Sequence, residues 1–420
     1  MSCVRYRIVA AGLLVVLCAA GTAAADDPRG DAPDSESSPG SLGHALTSGL
    51  FAIDLRYRLE HVDDEAFEKN ALASTLRGVL SYETGTFRGF SAGVRVETVT
   101  AIGNDLLYNN LGDGDLNNGV TDRPVVADPA LVEIDNLYLA YQGPHGLQAR
   151  AGKFNYSLDN RRFIGTAPWR QNERSYEGLS FAIGSQRTVL ATYAYLGRAY
   201  YNNGTTRDLE AHLFNLSREL GPGALTGYAY LLDWEAPARD ELSSATYGLR
   251  FVGESRAGSS AILYFAEYAR QGDYGENPGE FSLGYAHLGL GVGKGDLRLQ
   301  AGWELKGGDG VSAVQTPLGS NHGKNGYADR LVVTPPEGSE DSYIQFSMDR
   351  EKWGWLVAYH DFRAARGTGR LGSEIDFVAR YTPVDPLSVF LKVADYRADS
   401  LSDDVTKVWL WAAWRFDTTF

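Results

Sequence analysis

Arg56 and Arg58 stand two residues apart, with Asp54 and Glu60 at the same parity, while Phe51, Ile53, Leu55, Tyr57 and Leu59 fill the odd positions. In an extended strand, residues two apart share a face. One face here is charged and the other is apolar. A guanidinium presents a planar fork that can grip both oxygens of a carboxylate or phosphate. The chemistry offered is recognition of anionic solutes rather than bond making. The same parity rule places Arg77, Arg95, Arg150, Arg250, Arg298, Arg380, Lys392, Lys407 and Arg415 on charged faces. It places Glu83, Glu97, Glu133, Glu177, Asp296, Glu304, Glu374 and Asp376 there as well, so the charged surface reads as mixed. A further dense group, Asp159, Arg161, Arg162, Trp169, Arg170, Glu173 and Arg174, falls in the stretch 158–174. That stretch either folds inward and narrows a passage or lies outside, pinned by its own ion pairs.

Strands with one charged and one apolar face do not suit an ordinary core. They suit a wide transmembrane barrel, greasy toward lipid and wet inside. The expected fold is an all-β, antiparallel transmembrane barrel. Eighteen segments carry the pattern: 50–62, 71–83, 90–102, 131–142, 147–157, 175–184, 187–198, 209–219, 224–235, 244–254, 259–270, 281–293, 295–306, 341–350, 353–364, 372–382, 388–398 and 404–420. Connections alternate between short and long, the long ones including 103–130, 158–174 and 307–340. Short periplasmic turns and long outer loops are the usual asymmetry of such barrels, which places both termini in the periplasm.

The ends of the chain agree. Arg5 and Arg7, the apolar run Ile8 to Ala20, and Ala23-Ala24-Ala25 read as a secretory signal over 1–25. Both cysteines, Cys3 and Cys18, lie within it. Residues 26–49 are rich in Asp, Pro, Ser and Gly and read as a disordered periplasmic lead-in, with the barrel spanning 50–420. The closing strand alternates Val408, Leu410, Ala412, Trp414 and Phe416 with charged residues and ends on Phe420, the mark expected by the outer-membrane assembly machinery. The expected location is a Gram-negative-type outer membrane, in contact with lipid and lipopolysaccharide.

Composition narrows the function. A net charge of −14 excludes a nucleic-acid partner, which needs a basic footprint. The seven histidines make no metal-type spacing and no set with a nucleophile, so no enzyme, cofactor or metal is expected. Asp113 to Gly119 begins like a calcium loop, but Asn118 and Pro124 stand where Gly and Glu are required.

Asp54-Leu55-Arg56-Tyr57-Arg58-Leu59-Glu60, with Leu76-Arg77 and Tyr82-Glu83-Thr84, resembles the opening hairpin of the alginate-export family of outer-membrane barrels. Ala127-Asp128-Pro129 leading to Glu133 and Tyr138-Leu139-Ala140-Tyr141 is similar too, as are Gly152-Lys153-Phe154, Leu158 to Gly165, and Trp169-Arg170-Gln171-Asn172-Glu173. The resemblance covers about 50–185. It implies eighteen strands, a monomer, and a pore for anionic sugars or other small solutes. A dedicated exporter of alginate is expected to have a strongly basic lumen, in contrast to the mixed one read from parity. The expectation is a porin-like channel with a pore lined by Arg56, Arg58, Arg77, Arg95, Glu97, Arg150, Arg161, Arg162, Arg170, Arg250, Arg298, Glu304, Arg380, Lys392 and Arg415. The alternatives are an exporter of an acidic polysaccharide such as alginate, an outer-membrane enzyme, or an adhesive or structural barrel.

Overall fold

The computed structural model describes residues 40–235 and 239–419. The signal segment over 1–25 and the terminal Phe420 lie outside the described residues. Eighteen strands form one sheet, all neighbours antiparallel: β1 (Leu50–Asp64), β2 (Ala71–Glu83), β3 (Phe90–Ala101), β4 (Leu131–Gln142), β5 (Gln148–Phe154), β6 (Ser175–Ser185), β7 (Val189–Tyr200), β8 (Thr206–Leu220), β9 (Gly223–Trp234), β10 (Ser244–Ala257), β11 (Ser260–Asp273), β12 (Ser282–Lys294), β13 (Leu297–Gly307), β14 (Gly338–Asp349), β15 (Trp353–Arg363), β16 (Arg370–Val384), β17 (Leu387–Ala398) and β18 (Val405–Thr419). Strand β1 pairs with β2 on one side and with β18 on the other, which closes the barrel. Closure leaves no edge, so every backbone N–H and C=O can be paired within the hydrocarbon layer. Among the described residues no helix is long and apolar enough to cross a membrane.

Alternation sorts the side chains. Leu55, Leu80, Leu139, Phe181, Leu216, Leu249, Leu290, Ile344, Ile375 and Leu410 are exposed on the outer face. Arg58, Glu60, Arg77, Glu97, Glu304, Glu374, Asp376 and Lys392 point inward and are buried. Two expected inward acids sit elsewhere. Glu177 shares the outward parity of Leu179 and Phe181 because Tyr176, fully buried, takes the inward position. Asp296 lies in the turn before β13, ion-paired with Arg350.

Turns at one end are tight. Gly258 and Gly295 take positive φ at the first position of two-residue connections, a backbone region closed to most L-residues. At the same end the described part of the expected lead-in, residues 40–49, is ordered rather than disordered. Leu42–Thr47 forms a short helix, α1, because the Ser41 hydroxyl accepts from the His44 N–H and caps it. The Ala45 carbonyl accepts from Gly85 N–H, and Tyr82 donates to Leu46 O, fixing α1 against the β2–β3 turn.

The other end carries the long connections. Loops L2 (102–130), L3 (155–174) and L7 (308–337) pack inside the barrel. Two apolar clusters hold them. One joins Tyr108, Val126, Tyr327 and Leu331 to Trp409, Trp411 and Phe362 of the wall. The other joins Phe163, Ile164, Val314 and Leu318 to Tyr176, Leu213, Tyr230 and Tyr285. Burying a large apolar side chain stabilises by about 1.5–3 kcal/mol. These loops are therefore part of the folded core.

Candidate pore and constriction

Strands β1 to β3 and L2 seat the far half of L3. Arg56 Nε donates to Gln171 Oε1 at 2.7 Å, Nη1 donates to Pro168 O, and Nη2 donates to Arg170 O. Arg58 donates to Trp169 O at 2.7 Å and pairs with Asp128. Asp128 in turn accepts from Gln171 N–H at 2.7 Å, and Glu97 accepts from Glu173 N–H at 2.8 Å. The near half of L3 is tied to the opposite wall. Asp159 accepts from Asn215 and from Tyr230, each at 2.8 Å. Arg162 grips both oxygens of Glu304, which also accepts from Tyr285 and Asn325. A buried pair of this kind repays its desolvation only when the remaining hydrogen-bonding positions are filled, as they are here.

L7 has its own anchors. Glu374 accepts from Ala328 N–H at 2.7 Å, and Lys306 donates to Leu331 O at 2.9 Å. Burial lowers His322 to about 3, so its ring is neutral. The ring takes a hydrogen bond from Lys392 at 2.9 Å and gives one to Asp329. Trp169 of L3 stacks on that ring at 4.4 Å, and Lys392 lies 3.4 Å from the Trp169 ring centroid. Arg170 reaches Asp329 at 3.5 Å, closing the link between the two loops.

A cavity of about 1200 Å³ remains between these loops and the β1–β4, β17 and β18 wall. It touches Leu50, Tyr82 and Glu83 at the short-turn end and Arg239, Val311 and Val333 at the long-loop end. The lining is basic. Eleven Arg and Lys (56, 77, 95, 161, 170, 174, 207, 239, 324, 392 and 415) face five acids, Asp54, Glu83, Glu173, Glu241 and Asp329.

Of the residues marked from sequence, Arg56, Arg77, Arg95, Arg161, Arg170, Lys392 and Arg415 border this cavity. The others stand apart from it. Arg58, Glu97, Arg162 and Glu304 are buried in the loop ties. Arg150 lies over the Tyr138 ring at 4.5 Å, and Arg250 pairs with Glu267 at 3.4 Å. Arg380 pairs with Asp349 near the β14–β15 turn, and Arg298 is exposed on β13. Sequence reasoning missed Arg207, Arg239, His322, Lys324 and Asp329, all on the lining. Their signal was weak, because Arg207 stands at the very start of β8, outside the patterned stretch, and the others are loop residues, which have no parity. The readable clue was the apolar content of L7, with Val314, Leu318, Tyr327 and Leu331 spaced through a segment rich in Gly and Asn.

Lys324, on L7, is a lining cation that responds to pH near neutrality. Burial, helped by Arg162, brings it down to about 7, with Glu304 acting the other way. It is charged below that value and neutral above it. Anion preference is expected to be stronger at pH 6 than at pH 8 in reversal-potential measurements. The same step should be missing in Lys324→Met; a step retained in that variant would locate the titration elsewhere.

The sequence matches the model of the alginate export family over residues 49–277, more than half of the chain. The chain belongs to that family. No curated protein sequence matches it. Among solved structures, this family member has the fold of OccAB2 of Acinetobacter baumannii, with TM-score 0.72, 14% identity, and 89% of this chain and 99% of that one covered. OccK9 (OpdG) of Pseudomonas aeruginosa gives TM-score 0.72 at 13% identity, covering 89% and 100%. OpdK of Pseudomonas aeruginosa, an outer membrane protein, in its structure with vanillate gives 0.71 at 13%, covering 88% and 99%. The alginate-export chain is an outer-membrane β-barrel of porin type.

Proposed function

We propose that this barrel is an anion-preferring outer-membrane channel for small carboxylate-bearing or sugar-type solutes. One observation carries the reading: in a chain of net charge −14, the cavity that reaches both ends has basic residues in more than twofold excess over acidic ones. Charges lining a narrow, low-dielectric passage attract counter-ions and exclude co-ions at close range. The arginines Arg56, Arg77, Arg95, Arg161, Arg170 and Arg415, with Lys392, set that field. Arg58, Glu97, Arg162 and Glu304 act by holding L3 and L7 in place. Arg150, Arg250, Arg298 and Arg380 line the remaining wall. Both termini belong on the periplasmic side, where the connections are short. The strand ending at Phe420 then serves as the address for barrel assembly, and residues 1–25 as the export signal.

The test is the zero-current potential of the purified full-length protein in a planar bilayer under a KCl gradient. The expected sign is that of a chloride-preferring pore, and the chloride current is expected to fall on adding D-glucuronate. A potassium-preferring potential would refute the reading.

Membership in the alginate export family favours a second reading, release of an acidic polysaccharide along the same basic path. Oligouronates of rising length separate the two. Block that tightens with each added unit supports a polymer path, and block that saturates at the monomer supports a small-solute pore.

A further inference from the structure

Arg77 and Arg95 are already well supplied with wall carboxylates. Arg77 donates to Glu97 Oε2 through Nε and Nη2 at 3.0 and 2.9 Å, and to Asp54 Oδ1 at 3.1 Å. Arg95 pairs with Glu97 at 3.0 Å and with Asp135. Glu97 and Asp135 are fully buried and belong to the strands. A further carboxylate is delivered from outside the wall. Glu173, on L3, places Oε1 3.0 Å from Arg77 Nη2 and 3.3 Å from Arg95 Nη2. Its side chain keeps contact with the open cavity.

The oxygen of Glu173 thus occupies the point where two guanidinium groups converge on the lumen. That is the place a permeating carboxylate would take. Burial works against the Glu173 carboxylate, but Arg95, Arg77, Arg56 and Arg161 outweigh it and hold its pKa below the usual range. The group stays charged at neutral pH. Its position does not depend on the side-chain bonds alone, because the Glu173 N–H is separately fixed to Glu97 Oε1. The carboxylate can therefore be exchanged while the loop stays seated.

Resting on the anion-channel reading above, we propose that Glu173 is a built-in competitor: its carboxylate fills the Arg77–Arg95 subsite, and a solute carboxylate passes by displacing it. Glu173 thereby sets how weakly the pore holds its own solute. Conduction needs binding that is favourable but easily released.

The test is current block by D-glucuronate, with neutral D-glucose as control, in wild type and Glu173→Gln. The amide keeps the shape and removes the charge. Apparent affinity for glucuronate is expected to rise about five- to tenfold, the scale of one charge-assisted contact. Affinity for glucose should not move. Glu173→Asn, equally neutral, is measured alongside in case the Gln variant does not assemble, and heat-modifiable migration on gels reports assembly of both. Glucuronate affinity that is unchanged or lower in an assembled neutral variant overturns the proposal. An equal rise for glucose and glucuronate also overturns it, since that would indicate a wider pore. A wild-type channel that prefers potassium instead removes the anion reading itself, so the two failures are distinct.

Discussion

Replacing residues 311–335 of L7 with a short Gly-Ser turn is expected to raise single-channel conductance about threefold, since ohmic flow follows the open cross-section of the barrel. L7 fills lumen that the strands alone would leave to water. Val314, Leu318, Tyr327 and Leu331 are buried against the wall, and Pro317, Asn321 and Lys324 border the remaining cavity. The barrel should survive the change. Its ladder runs from β1 through β18 and back without any bond from L7. The buried Lys306, Glu304 and Glu374 lose L7 partners, but water entering the widened lumen can replace them. Planar-bilayer recordings check this. Conductance equal to wild type in an assembled deletion variant would mean that L7 does not restrict flow.

The second large effect is on ion preference. Changing Arg161, Arg239 and Arg415 together to Glu is expected to abolish anion preference, lowering the chloride-to-potassium permeability ratio about tenfold at ~0.1 M salt. The choice follows from the structure. Among the described residues, no hydrogen bond or ion pair holds these three guanidinium groups. The substitutions bring basic and acidic lining residues to equal numbers. The effect should shrink at ~1 M salt, where the screening length falls to about 3 Å. Reversal potentials at both concentrations provide the measurement, and an unchanged ratio at low salt would show that the lining charges do not select. Reversing Arg56 or Arg95 instead would confound the result. Arg56 clamps Pro168, Arg170 and Gln171, and Arg95 pairs with two buried acids, so either reversal unseats L3 as well as changing the field.

Alternation is a local rule, and it made the barrel legible from the amino-acid order. The observed strand ends fall within three residues of those read from period-2 patterning. Leu55 and Leu410 meet lipid and Arg58 and Trp409 meet the interior because each strand has two faces and only one is greasy. Faces, strand count and closure needed no knowledge of distant contacts. The character of the pore did. Parity gave nearly equal numbers of inward bases and acids, yet the lining is basic. The reason is that Glu60, Glu97, Glu304, Glu374 and Asp376 are buried where the loops pack, out of reach of the open cavity. Arg162 and Glu304 are 142 residues apart, and no spacing rule joins them. Sequence determined which side chains point inward, Glu177 and the turn residue Asp296 apart. Only the tertiary insertion of L3 and L7 decided which of those charges still face the lumen, because an inward charge paired and desolvated under a loop no longer acts on a passing ion.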